Sequence, residues 1–308
     1  MKLSLIIPCY NEEEMIELIY NEIIKVLGEY HELEILFVND GSRDKTLLEI
    51  SKLAECDRKV KFISFSRNFG KEAAMFAGMK YAAGDYVCIL DSDLQHPPSM
   101  IPDMIKALDE GYDVAAARRT DRSGEAKVKS FFSHKFYSVI NKLADVNIKE
   151  GAQDFRVMKR KVVESIISMP EYFRFSKGIF SWVGFNVKWF PHVNVDRPAG
   201  KSKFNTFKLF KYAIDGIISF SIVPLRIAMI LGIVVSFVGY LYALNIIINT
   251  VLYKNAGTGS GYASIMSGLL IIGGTILVCL GILGEYVSKI YIETKHRPLF
   301  IIDTTNIT

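Results

Sequence analysis

Asp91 and Asp93 stand two residues apart in Asp91-Ser92-Asp93, directly after the apolar run Tyr86 to Leu90. In extended backbone, residues i and i+2 point to the same side. Two carboxylates so placed at a strand end can both meet one hard cation, and Mg²⁺ or Mn²⁺ bind through such oxygens. A cation held there would bridge to a diphosphate and neutralise charge as a leaving group departs. Gln95 and His96 follow closely enough to add a ligand or a hydrogen bond. A solvated acidic turn has the same composition. The place of the pair, after the fourth of a series of alternating strands, favours the cation reading. Asp40-Gly41-Ser42 forms a second polar group, after the run Leu33 to Asn39. Glycine permits a tight turn, and a carboxylate at a strand end can hydrogen-bond a nucleobase or ribose. A turn with a helix cap explains Ser42 and Asp44 equally well. Neither GxGxxG nor GxxxxGK[ST] occurs, which argues against dinucleotide binding and P-loop chemistry.

The elements that must position these residues follow from hydrophobic periodicity. Strands are predicted at Leu3–Pro8, Leu33–Asn39, Val60–Phe65, Tyr86–Leu90 and Asp113–Ala117, and helices at Glu12–Leu27, from Asp44, at Lys71–Ala82 and at Met100–Glu110. Strands alternating with helices imply parallel pairing through crossovers, hence an α/β sheet covered on both faces. Ligands of such sheets bind at the carboxyl ends of the strands. The polar clusters Cys9–Glu13, Asn39–Ser42, Ser66–Lys71 and Asp91–Gln95 all fall there.

Composition is uneven along the 308 residues. Half are hydrophobic, and the last third holds two long apolar stretches. The net charge of +4 is too small to point to nucleic acid. Cys9, Cys56, Cys88 and Cys279 form no CxxC pair and read as reduced, structural thiols. Met1–Tyr10 lacks the features of a signal peptide, so the N-terminal domain is expected to stay in the cytoplasm. The runs 226–252 and 262–285 each exceed the ~20 residues needed to cross a bilayer. The Gly-rich connector 253–261 makes them a hairpin. Lys201, Lys203, Lys208 and Lys211 precede the first run and Arg226 opens it, and Lys289, Lys295 and Arg297 follow the second, whereas the connector has Lys254 alone. The positive-inside rule puts both flanks, including a tail at 286–308, in the cytoplasm. Ser130–Leu143 and Thr206–Ser221 mix aromatic and aliphatic residues with lysines and read as amphipathic helices. The second, within a juxtamembrane segment 201–225, is placed at the membrane interface.

Pro8-Cys9-Tyr10-Asn11-Glu12, Val38-Asn39-Asp40-Gly41-Ser42 and Asp91-Ser92-Asp93-Leu94-Gln95-His96-Pro97-Pro98 resemble the family 2 inverting glycosyltransferases of GT-A fold. Ser66-Arg67-Asn68-Phe69-Gly70-Lys71-Glu72, Gln153-Asp154-Phe155-Arg156, Gly200-Lys201-Ser202-Lys203-Phe204 and the stretch from Gly284-Glu285-Tyr286 to Arg297-Pro298 are similar to one branch of it. That branch holds the dolichol-phosphate mannose synthases and the polyprenyl-phosphate glucosyltransferases. Phe204 departs from it, since tyrosine is common there. The resemblance covers nearly the whole chain. It implies a cytoplasmic GT-A domain over 1–200, a Rossmann-like, mostly parallel sheet, followed by interface helices and a two-helix membrane hairpin.

The resemblance also implies roles. Asp91, Asp93 and Gln95 would bind Mg²⁺ or Mn²⁺ and the donor diphosphate. Pro8, Tyr10, Glu12 and Asp40, with Asp91, would form the nucleotide pocket. Asp154 and Asp93 would be the catalytic residues, Asp154 matching the family's candidate catalytic aspartate, and Arg118, Arg122, Arg156, Arg197, Ser202 and Lys203 would hold the acceptor phosphate. The expected reaction moves a sugar from a UDP-sugar, UDP-glucose first among them, to undecaprenyl phosphate with inversion, for cell-envelope glycosylation. The acceptor is a phosphate monoester with a second pKa of about 6, already a dianion near neutrality, so no strong base is required. Asp154 then serves equally well to orient the acceptor pocket. A processive polysaccharide synthase is the alternative, but such chains carry further spans and a QxxRW-type motif, which is absent here. A non-catalytic nucleotide-sugar-binding membrane protein would lack the acidic pair. Gly268, Gly273, Gly274 and Gly281 permit close helix packing, and the resemblance suggests a tetramer.

Overall fold

The structure is a computed structural model, and it describes residues 1–120, 148–192, 218, 221–253 and 261–307. The expected helix at 130–143 and almost all of that at 206–221 lie outside them.

β1 (Leu3–Cys9) and β2 (Leu33–Asn39) are buried along their whole length, as strands covered on both faces must be. β3 (Val60–Phe65) and β4 (Tyr86–Ile89) complete a parallel set in the order β4-β1-β2-β3. The crossovers are α1 (Ile16–Leu27), α2 (Thr46–Cys56) and α3 (Lys71–Tyr81). Helix α1 buries Ile16, Ile19, Ile23 and Leu27, one stripe at three- to four-residue spacing. The N-cap position of α2 is Lys45, not the expected Asp44. Asp44, one residue earlier, accepts at Oδ1 from Thr46 N–H at 3.1 Å and from Thr46 Oγ1 at 2.6 Å. Helix α3 lies so close over β1 that a Cβ at Gly78 would come within 2.2 Å of Ile6 Cγ2. That approach fixes where Lys71, at the head of α3, can reach.

Beyond α4 (Ile101–Asp109) the pattern departs from simple alternation. β5 (Val114–Arg119) does not add to β4. β6 (Ala152–Lys159) enters between them, antiparallel to both, and β7 (Val187–His192) pairs parallel to the far side of β5. Because β6 runs backwards, its N-terminal end lies beside the C-terminal end of β4. α5 (Arg160–Ile167) and α6 (Ser176–Trp182) follow β6. At the opposite edge, β8 (Ile302–Thr305) pairs antiparallel with β3, completing the order β7-β5-β6-β4-β1-β2-β3-β8. The sheet is mixed and mostly parallel.

The chain forms two compact units: 1–219 with 297–308, and 220–296. The second is a pair of helices, α7 (Val223–Tyr253) and α8 (Tyr262–Glu293). Their apolar windows, Val223–Tyr242 and Ile265–Glu293, have mean hydropathies of 2.0 and 2.4 and bury almost nothing. Phe237, Leu270 and Leu277 are 60–71% exposed, which water would not tolerate over such a length. The helix expected to end at 285 runs on to Glu293, and part of the segment read as a tail is strand β8.

Candidate active site

Ile89 of β4 pairs with Arg156 of β6. Two residues onward in β4's direction and two back along β6 stand Asp91 and Asp154. Lys71 Nζ lies between them, 2.6 Å from Asp91 Oδ1 and 2.7 Å from Asp154 Oδ2. Burial works to lower the Lys71 pKa, but Asp154 and Asp91 hold it above the ordinary lysine range. Burial likewise works to raise Asp154, yet Lys71, Lys177 and Arg156 hold it well below the usual carboxylate range. A general base needs a pKa near the working pH. Held in this way, Asp154 is a poor proton acceptor and a good fixed anion.

The turn after β4 is tight. Leu94 takes φ 52°, a left-handed conformation rare for a side chain of this kind. Asp93 is buried, and its Oδ1 accepts from Gln95 N–H at 3.1 Å. His96 is buried beside Phe155 and His192, with Nε2 2.5 Å from Gln153 Oε1. Its Nδ1 has no hydrogen-bond partner among the described residues. Burial lowers the His96 pKa and His192 adds to this, against Asp91, Gln153 and Asp93. A neutral ring donating from Nε2 to the amide oxygen fits this setting. His192 Nε2 lies 2.9 Å from Gln95 O, so β7 braces the same turn.

Asp40 sits differently. Its carboxylate accepts from Phe69 N–H at 2.6 Å, from Gly70 N–H at 2.9 Å and from Asn68 Nδ2 at 2.9 Å. Burial pushes its pKa up to about 6, against those amides and Arg67. Next to it Gly41 has φ +62°, and a Cβ there would lie 2.3 Å from the Arg67 carbonyl carbon. Asp40 and Gly41 thus hold the loop after β3 against the loop after β2. In front of them opens a cavity of about 380 Å³, lined in part by Tyr10, Ser42, Arg67, Asn68 and Asp303.

Of the nucleotide-pocket candidates, then, Tyr10 lines the cavity and Asp40 shapes its wall from behind. Pro8 is buried within β1, and Glu12 N–H donates to Thr46 Oγ1 at 2.8 Å. Arg118 Nε donates to Glu150 O at 3.0 Å. Arg156 is buried: its guanidinium lies 3.5 Å from the Phe180 ring centre and donates to Gln153 O at 2.7 Å. Burial lowers its pKa to about 10, opposed by Asp154. In this position it stiffens the start of β6. Arg122, Arg197, Ser202 and Lys203 lie outside the described residues. Lys71, Gln153, His192 and Asp303 were assigned no role from sequence. Lys71 and Gln153 do fall within motifs that carry the family resemblance.

Residues 4–167, more than half the chain, match glycosyl transferase family 2. The chain belongs to this family. As a family 2 glycosyltransferase it is an enzyme with a GT-A domain, and residues 223–290 match the GtrB C-terminal hairpin. With two helices long and apolar enough to span a bilayer, this family 2 protein is membrane-associated. It is 44% identical over 307 residues to the bactoprenol glucosyl transferase of Shigella phage SfV, covering 98% of each chain. It is also 44% identical over 304 residues to the prophage bactoprenol glucosyl transferase homolog of Escherichia coli (strain K12), again covering 98% of each. Among solved structures it resembles glucosyl-3-phosphoglycerate synthase from Mycobacterium tuberculosis in complex with Mg²⁺ and uridine diphosphate. The TM-score is 0.51 at 18% identity, covering 70% of this chain and 77% of that one, a likeness of fold.

Proposed function

We propose that this enzyme transfers glucose from UDP-glucose to undecaprenyl phosphate, with inversion, at the cytoplasmic face of a bacterial plasma membrane. The observation that carries the reading is the Lys71 ammonium clasped between Asp91 and Asp154, three residues along the chain from Asn68, which lines the cavity of about 380 Å³. The names of the relatives, aligned over 98% of this chain and 98% of their own length, support the lipid acceptor and the sugar.

A divalent cation fits the residues present. Asp91 and Asp93 offer hard oxygen donors on one turn. Among the described residues no set of three or more His, Cys, Asp or Glu side chains converges on one cation position. Mg²⁺ is commonly held by one or two carboxylates with the substrate's phosphates supplying the rest. Asp91 and Asp93, with Gln95, would hold it, and it would supply charge neutralisation to the diphosphate leaving group. The chain's own residues do the remaining work. Lys71 keeps two carboxylates close together without repulsion and offers positive charge where phosphates meet. Asp154, ionised, orients Lys71 and the acceptor side of the cleft. Arg118, Arg122, Arg197, Ser202 and Lys203 are the proposed acceptor-phosphate contacts. The acceptor dianion, with a second pKa of about 6, needs no proton removed before it attacks. Attack opposite the leaving group inverts the anomeric carbon. A polyprenyl chain stays in the bilayer, so the hairpin keeps the enzyme at its acceptor. The lysines and arginines flanking the spans support a cytoplasmic position for both ends.

The test is purified full-length enzyme with undecaprenyl phosphate, Mg²⁺ and a panel of radiolabelled nucleotide-sugars. Lipid-extractable label should come from UDP-glucose, and NMR of the product should show a β-linkage. Label from none of the sugars would defeat the proposal, and an α-linked product would defeat its stereochemistry. Full turnover in EDTA would remove the cation.

A further inference from the structure

β8 lies outside both family matches, at 302–305, yet it reaches the same cavity. It is fixed there by several contacts. Phe300 stacks on Phe65 with ring centres 5.0 Å apart and meets Phe76 and Tyr81 edge-on. Ser66 N–H donates to Ile301 O at 3.0 Å. Asn306 Oδ1 accepts from Phe62 N–H at 2.7 Å, and its Nδ2 donates to Val60 O at 3.2 Å. Within this pairing Thr304 faces Ser64 and Ile302 faces Phe65, with the register shifting between them. Asp303 is therefore the extra residue on β8. An extra residue of this kind re-aims its side chain, a device found next to active sites.

Here the result is chemical. Asp303 is the one carboxylate among the described residues lining the cavity, where Arg43 and Arg67 supply positive charge. It is exposed, and neither a hydrogen bond nor an ion pair engages it among the described residues. Asp40, to which sequence reading gives the nucleotide contact, spends its oxygens on Asn68, Phe69 and Gly70. A carboxylate only accepts hydrogen bonds and repels phosphate. The neutral hydrogen-bond donors of a nucleoside diphosphate are its base N–H groups and its ribose hydroxyls.

We infer that Asp303, on the strand that follows the membrane helices, recognises the donor nucleotide by accepting a hydrogen bond from the N–H edge of its base. The inference rests on the donor reading above and adds to it a specificity residue. For a uracil base the group read is N3–H.

The experiment measures binding of UDP, 2′-deoxy-UDP and N3-methyl-UDP to the full-length enzyme in detergent by calorimetry, for wild type, Asp303→Ala and Asp303→Asn. A hydrogen bond to a charged group is worth roughly a tenfold change in affinity or more. Asp303→Ala should weaken UDP about tenfold, and Asp303→Asn less. Both losses should persist with 2′-deoxy-UDP and vanish with N3-methyl-UDP. Unchanged melting of the variants, followed through Trp182 and Trp189, separates this from unfolding. If wild type binds UDP and both variants bind it equally well, the inference fails while the donor reading stands. If the loss vanishes with the deoxy compound instead, the base contact is overturned. If wild type binds none of UDP, GDP, ADP and CDP, the donor reading fails and the inference falls with it.

Discussion

Asp154 and Asp40 sit at the same ligand-facing edge of one sheet, each taken largely out of water, and burial works to raise the pKa of both. They end in opposite states. Asp154 has a full positive charge 2.7 Å away and stays far below the usual range. Asp40 has amide donors and a more distant arginine, and rises to about 6. Amide dipoles therefore do not replace a cluster of nearby full positive charges, Lys71 in contact, with Lys177 and Arg156 behind it. The β4–β6 side of the edge is built to carry charge, and the β2–β3 side to hold a loop in shape.

The largest effect that would break this comparison is expected at Asp91. Asp91→Ala should reduce transfer by about 10³-fold or more, the scale seen when a group meeting transition-state charge is lost. Circular dichroism and gel filtration should be unchanged. Residual activity within tenfold of wild type would remove Asp91 from the chemistry. Lys71→Met comes next, at about 10²-fold on the same scale. It leaves Asp91 and Asp154 facing each other uncompensated. A new ionisation should then enter the pH–rate profile from the acid side, as Asp154 rises toward the ordinary range. An unshifted profile would show that Lys71 does not hold Asp154 down.

On the other side the sign reverses. Asp40 has a folded pKa of about 6 against an ordinary carboxylate value near 4, so the folded state binds the proton more tightly. Its contribution favours folding at low pH and is lost as pH rises from about 4 to about 6, on the order of 2–3 kcal/mol in all. Asp154 acts oppositely, stabilising above pH 4 and losing that as pH falls below it. Asp40→Asn should flatten the fall in stability between pH 4 and 6, read from tryptophan fluorescence. Trp182 and Trp189 are the chain's two tryptophans and both lie in the catalytic unit. A slope equal to that of wild type would contradict the assignment. The smallest effect is Asn68→Ala, which removes one neutral donor from Asp40. It should cost about 1 kcal/mol and move the Asp40 transition slightly upward.

The same contrast separates what was legible in the sequence from what was not. β1, β2, β3 and β4 were legible because each is a short apolar run bounded by turn residues. The Asp91-Ser92-Asp93 turn was legible because it follows one. The hairpin was legible from length and hydropathy alone. β6 was not, since Gln153, Asp154 and Arg156 interrupt its apolar pattern, and nothing local tells a strand to run antiparallel between two others. Lys71 showed no special role because its partners lie 20 and 83 residues away, the second brought in by that insertion. β8 is four residues, mostly polar, held by an edge and by Phe300, which no periodicity reveals. The Asp40 motif was found, but its carboxylate turns toward the backbone of residues 69 and 70. A sequence cannot tell a side chain that meets a ligand from one that shapes the wall behind it.

The position of β8 along the chain sets an order of events during synthesis. Both apolar helices leave the ribosome before residues 302–305 do. The eight-stranded sheet, and the cavity wall that Asp303 supplies, cannot close until both helices have been made. An enzyme assembled in that sequence acquires its last wall only after the segments that commit it to lipid already exist. A nascent catalytic domain released early would stay incomplete, with the edge of β3 unpaired.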